Sequence, residues 1–165
     1  MHQPAITGSG VFTPPDLITN DDLVEAFNAY ADRENARNAA AIAAGEADPV
    51  AHTSARPIRI SSGIRQRFVM DRTGVLDPDV MHPRLRPRAD SEPSLSAEMA
   101  VDACMKALTA ANCTAQRIDA VICAASNHER PYPAIAIEIQ SLLGAGGFAF
   151  DMNVACSSAT FAIGV

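Results

Sequence analysis

Covalent chemistry in this chain falls first to its four cysteines, Cys104, Cys113, Cys123 and Cys156, and the surroundings of the last set it apart. Phe148 and Phe150 alternate as in a strand, and the small-residue run Ala155 to Ala162 predicts a helix start, so Cys156 falls where strand turns into helix. Unpaired N–H groups at a helix N-terminus favour thiolate over thiol, the form that attacks acyl carbonyls, and they can also stabilise an oxyanion. Local sequence by itself favours the plainer alternative, a small buried apolar residue, since a lone cysteine is a weak signal. Cys123 lies within an apolar run and reads as buried and inert, while Met99 and Cys104 read as core. His128 beside Glu129 offers an imidazole and a carboxylate in a loop, and is assigned to the surface. The cysteines show neither CxxC pairing nor metal-ligand spacing, so no metal site is expected and the thiols are read as reduced.

The elements that must position these groups follow from periodicity and punctuation. Ala5 to Phe12 predicts a first strand whose glycines permit close packing, ended by Pro14-Pro15. Its Gly-x-Gly lacks the third glycine and the immediate helix of a dinucleotide site. Thr19 or Asn20 caps a helix with Asp21 and Asp22 at its positive end and Leu23, Phe27 and Tyr30 on one stripe, running on to an alanine-rich stretch closed by Gly45. Pro78 to Pro93, with four prolines, predicts an ordered irregular loop. A helix follows with Pro93 in its first turn, Glu98 near its positive end and a broad apolar face including Leu95, Met99, Ala103 and Ala107. Ile118 to Ser126 reads as a central parallel strand covered on both faces, Ala134 to Leu143 as an apolar helix closed by Gly144, and Gly146 to Asp151 as the strand leading to Cys156. This order of elements predicts an α/β fold with a parallel sheet.

Composition excludes several classes. At 165 residues, 48% hydrophobic and 19% charged, the chain can bury a core, and no apolar run nears the roughly 18 residues of a membrane span. The N-terminus lacks the basic and apolar regions of a signal peptide, so a cytoplasmic protein is expected. A net charge of −6 argues against nucleic acid as a partner. The charge is uneven: from Arg56 to Arg88 eight arginines stand against three aspartates, a segment suited to a phosphate or acidic partner, or to a solvated, internally paired surface.

Asp151-Met152-Asn153-Val154-Ala155-Cys156-Ser157-Ser158-Ala159 resembles the nucleophile segment of the β-ketoacyl-acyl-carrier-protein synthase III family, within the thiolase superfamily. Ile135 to Gly144 resembles the family's preceding helix, Tyr132-Pro133-Ala134 its aromatic-proline element, Gly63-Ile64-Arg65-Gln66-Arg67 its segment beside the coenzyme A channel, and Thr19-Asn20 its first turn. Familiar members carry an arginine two residues before that glycine and a tryptophan four further back, where this chain has Ser61 and Pro57, which implies another adenine pose or thioester carrier.

The resemblance implies a thiolase-like α/β fold, a parallel-dominated mixed sheet with covering helices. Residues 1–165 would form its N-terminal half, with an insertion about 28–55 and an irregular loop about 71–93, and would aggregate if expressed alone because the chain stops inside the cysteine helix. It implies an acyltransferase of fatty acid biosynthesis in which Cys156 is acylated by an acyl-CoA, medium-chain in the 3-oxodecanoyl-forming subgroup, before decarboxylative condensation with malonyl-acyl carrier protein. The family's catalytic histidine and asparagine would lie in the second half. Tyr132, Ala155, Ala159 and Arg65 would contact substrate, Tyr132 across a homodimer interface, and Arg84, Arg86 and Arg88 would dock the carrier protein. Coenzyme A thioester enters as substrate, and no resident cofactor is expected. A thiolase or hydroxymethylglutaryl-type synthase, or a noncatalytic scaffold or carrier-binding half-fold, are the competing readings.

Overall fold

Thr19 opens the first helix with a reciprocal cap. Its hydroxyl accepts from the Asp22 N–H at 3.1 Å, and Asp22 accepts from the Thr19 N–H at 2.8 Å, so two otherwise orphaned donors are satisfied at once. The computed structural model describes residues 5–165, which divide into two units, Thr13–Arg86 and the described residues up to Phe12 with Pro87–Val165. In the first, β1 (Asp16–Thr19) pairs antiparallel with β2 (Gln66–Val69), Thr19 opposite Gln66. Between them run α1 (Asn20–Arg37), α2 (Ala39–Ala43) and α3 (Ala55–Ser62). The alanine-rich continuation expected of the first helix breaks at Asn38, a poor helix former, and the chain leaves α2 through Gly45 at φ 73°. Sequence reading gave no helix over α3, because Pro57 and the isoleucines mask it. Proline in a first turn nevertheless loses no bond, and Gly63 at φ 72° ends the helix.

Asp71 caps α4 (Arg72–Leu76) and organises the chain after it. Its carboxylate accepts from the Thr73 hydroxyl at 2.6 Å, the Arg84 N–H at 2.7 Å, the Gly74 N–H at 3.1 Å and the Thr73 N–H at 2.9 Å. These donors, the Thr73 hydroxyl foremost, hold its pKa at about 2 against an ordinary 3.8. A depressed carboxylate pKa contributes stability that is present above the ordinary value and lost as pH falls through the folded one. Asp71→Asn should therefore lower Tm at neutral pH, and the gap to wild type should close between about pH 4 and pH 2. Thermal melts across that range check it; a gap constant down to pH 2 contradicts the cap.

In the second unit, α5 (Leu95–Ala110) and α6 (Ile135–Leu143) pack together, and α6 covers β3 (Ala120–Ala124) and β4 (Phe148–Met152). Buried Ala97, Ile135 and Ile139 form the core, with Val101, Cys104, Val121, Cys123 and Leu143 against it. β3 and β4 are parallel, as expected, with Cys123 opposite Asp151 and α6 as the crossover. Asp151 accepts from the N–H groups of Ile135 and Ala136 at 2.9 and 2.8 Å, so the strand caps the helix that joins it to its neighbour. Gly144 ends α6 at φ 65°, as its position predicts.

Three expectations need correction. Pro93 lies outside α5, whose cap is Ser94, buried and accepting from the Ala97 N–H. β3 is shorter than Ile118 to Ser126, half-buried throughout, and among the described residues paired with β4 alone. Residues 5–12 are not a strand: Gly8 and Gly10 lie flat on α5, where an added Cβ would stand 2.4 Å from the Ala107 carbonyl oxygen and 2.0 Å from that of Ala103. The close packing predicted for these glycines is present, against a helix rather than inside a ladder. The fold is nonetheless the expected mixed α/β one.

Candidate active site

Five residues separate β4 from α7 (Ser158–Gly164), and side chains within the turn hold it shut. Ser158 is buried; its hydroxyl accepts from the Val154 N–H and donates to the Ala155 carbonyl, both at 2.8 Å. Asn153 accepts from the Ala155 N–H at 3.1 Å and donates to the Ser126 carbonyl at 3.2 Å, tying the turn to the loop after β3. Ala155 takes a left-handed φ of 48°, a conformation costly for a residue with a Cβ and kept only where its surroundings enforce it. Cys156 follows at the outside of this turn, exposed. The helix expected from Ala155 begins at Ser158, so the thiol stands two residues before it.

The two thiols packed on the core differ. Burial pushes Cys104 up, and burial together with Asp151 and Cys104 pushes Cys123 up to about 11, so neither is prepared to act as a thiolate. Ala155 and Ala159 are exposed beside Cys156, and Tyr132, on the loop between β3 and α6, is 89% exposed. His128 departs from its surface assignment: its side chain is 16% exposed, with Nδ1 3.5 Å from Asp151.

Arg65 belongs to the unit Thr13–Arg86. Asn20, buried at the start of α1, donates from its side chain to the Ile64 carbonyl at 2.7 Å, accepts from Arg67 at 2.8 Å and donates its N–H to the Arg65 carbonyl at 3.0 Å. The Thr-Asn turn thereby fixes the Gly-Ile-Arg-x-Arg segment. Arg67 takes a neutral partner there, the side-chain oxygen of Asn20. Arg65 lines a shallow pocket with Arg56 and Arg59 from α3, beside Asn20 and Asp21. Sequence reading counted Arg56 and Arg59 only as charge; their spacing of three on one helix face was the available signal. Arg84 is paired with Asp77, and Arg88 with Glu98 at 2.7 Å while also donating to the Pro93 carbonyl. Arg86 has an interaction as well.

A parallel β–α–β unit delivers an exposed cysteine from a locked strand-to-helix turn, and likeness to solved structures makes the fold a thiolase-like α/β one. The structure resembles 3-oxoacyl-[acyl-carrier-protein] synthase III of Aquifex aeolicus with a TM-score of 0.64 at 24% identity, over 98% of this chain and 38% of that one. In sequence it is 49% identical over 140 residues to a β-ketodecanoyl-[acyl-carrier-protein] synthase of Pseudomonas aeruginosa, covering 85% of this chain and 40% of that protein. It is 28% identical over 164 residues to a β-ketoacyl-[acyl-carrier-protein] synthase III of Granulibacter bethesdensis, covering 99% and 37%. No family model matches the chain. The chain is thus a homologue of the β-ketoacyl-[acyl-carrier-protein] synthase III proteins, spanning about two fifths of the length of the curated relatives it matches.

Proposed function

We propose that this chain is the nucleophile-bearing part of a condensing enzyme of fatty acid synthesis, and the observation that carries the proposal is Cys156, exposed on a turn that Asn153 and Ser158 immobilise. Its thiolate attacks the carbonyl of an acyl-CoA, a carbon–sulfur bond forms, and coenzyme A leaves as its thiolate. Malonyl-acyl carrier protein then loses carbon dioxide, its carbanion attacks the acyl-enzyme carbonyl, and the Cys156 thiolate is released. The histidine and asparagine that assist decarboxylation come from a second segment, which the greater length of the relatives supports. A medium-chain primer is favoured by the 49% identity to a β-ketodecanoyl-forming relative.

The arginine pocket supports a role for Arg65 beside the diphosphate or ribose phosphate of the thioester, with Arg56 and Arg59 supplying charge where Ser61 and Pro57 supply none. Tyr132 meets the acyl chain from the partner in a homodimer; an aromatic 89% exposed here suits that placement. Carrier docking at Arg84, Arg86 and Arg88 competes with the pairs that Arg84 and Arg88 already make. The setting is cytoplasmic, and among the described residues no helix is long and apolar enough to cross a membrane.

Incubation with acyl-CoA primers of two to ten carbons, followed by peptide mass spectrometry, tests the reading. The expected adduct is on Cys156, most rapidly from octanoyl- or decanoyl-CoA, because each buried methylene contributes about 0.8 kcal/mol. Acylation of another cysteine, or of none, overturns the nucleophile. A flat dependence on chain length overturns only the medium-chain part.

A further inference from the structure

A second cysteine lies in a setting that acyl transfer does not use. Cys123 on β3 stands opposite Asp151 on β4 in the parallel register, so their side chains share the face that α6 covers. His128, from the loop after β3, turns back onto that face. One ligand atom from each of Cys123, His128 and Asp151 falls within 4.8 Å of the other two. Nothing in linear spacing announces the group, because three elements bring it together.

His128 supplies the second observation. Both ring nitrogens are shut off from solvent, and neither is hydrogen-bonded among the described residues. Its approach to Asp151, at 3.5 Å, is too long to count as a hydrogen bond. A buried imidazole with two unsatisfied nitrogens is costly, and native interiors rarely leave one. Asp151 cannot relieve it by rotation, since its two oxygens are oriented by the N–H groups of Ile135 and Ala136. Each carboxylate oxygen still has a free lone pair.

We propose that Cys123 Sγ, a ring nitrogen of His128 and a carboxylate oxygen of Asp151 form a three-ligand site for Zn2+, with a fourth position left to water. Thiolate, imidazole and carboxylate together are a ligand set for zinc rather than for magnesium or calcium, which take oxygen. Tetrahedral ligands about 2.0–2.3 Å from zinc lie roughly 3.3–3.8 Å apart; His128 Nδ1 and Asp151 are already 3.5 Å apart, and with all three atoms within 4.8 Å no pair has far to close. Binding replaces the Cys123 S–H bond by an S–Zn bond and releases the proton to solvent. The site ties the loop that carries Tyr132 to the ends of both strands, and the Ile135 and Ala136 N–H groups orient the Asp151 ligand as outer partners of zinc sites commonly do.

The test is metal binding to the purified, metal-stripped protein, a readout independent of acyl transfer. One equivalent of Co2+ should produce a thiolate-to-cobalt charge-transfer band that Zn2+ displaces. Cys123→Ser should abolish the band, His128→Ala should weaken binding at least tenfold, and Cys156→Ser should leave it unchanged. No band with wild-type protein, or a band that survives Cys123→Ser, overturns the proposal. A measurement on wild-type protein alone guards against a variant that fails to fold: Zn2+ should slow alkylation of Cys123 by N-ethylmaleimide and leave Cys113 unaffected. Equal Cys123 rates with and without zinc also overturn it.

Discussion

Replacing Cys156 by alanine is expected to lower acyl transfer by about a thousandfold or more while leaving the fold intact, because the covalent route requires its sulfur. The side chain is exposed, and none of the hydrogen bonds that hold the turn belongs to it: the Val154 N–H and Ala155 carbonyl are taken by Ser158, and the Ala155 N–H by Asn153. Loss of activity should therefore come without loss of Tm. The two thiols packed on the core do not substitute. With its pKa at about 11, roughly one Cys123 in a thousand is thiolate at pH 8, and burial also raises Cys104. Iodoacetamide should accordingly label Cys156 ahead of both. Acyl transfer retained by Cys156→Ala at a tenth or more of the wild-type rate would move the nucleophile elsewhere. Ser158→Ala gives the complementary result: it keeps the thiol but strips two hydrogen bonds from the turn, and should lower both Tm and acylation rate.

The sequence was most informative where a local rule is also a tertiary one. The Thr19 cap, the terminating Gly144, an apolar strand within Ile118 to Ser126 and the position of Cys156 between strand and helix depend on residues next to each other, and the structure has them. It was least informative where distant segments meet. Residues 5–12 have the composition of a strand, and whether glycines face a ladder or a helix is decided by α5, about ninety residues on. His128 sits in a polar loop and so reads as surface; that it lies half-buried near Asp151, twenty-three residues later, is settled by the tertiary fold. The start of α7 slipped from Ala155 to Ser158 for a related reason. Asn153 and Ser158 compete for the backbone through short side-chain bonds, a habit of these residue types that local reading could have used. Arg56 and Arg59 gained meaning only when Asn20 fixed Arg65 beside them.

Gly147→Ala should be the most damaging single-methyl change in the second unit, with an expected loss of about 3 kcal/mol or more. Two costs coincide there. Gly147 has φ 71°, where a Cβ is disfavoured by about 1 kcal/mol, and that Cβ would stand 1.8 Å from the Asp119 carbonyl oxygen, which is backbone and cannot swing aside. The same oxygen accepts the Phe148 N–H at 3.1 Å, the bond that sets the register of β4 on β3. Gly144→Ala is the control, since φ is 65° and nothing lies within 4 Å of the added methyl, so only the conformational cost of about 1 kcal/mol applies. Urea denaturation of the two variants separates the terms, and equal losses would refute the close approach at Asp119. The consequence reaches the chemistry through register. Displacing Phe148 shifts Asp151 away from Cys123 and loosens its cap on α6, and the turn carrying Cys156 begins one residue after β4 ends. Gly147→Ala should therefore lower the Cys156 acylation rate even in the fraction that remains folded, whereas Gly144→Ala should leave that rate unchanged.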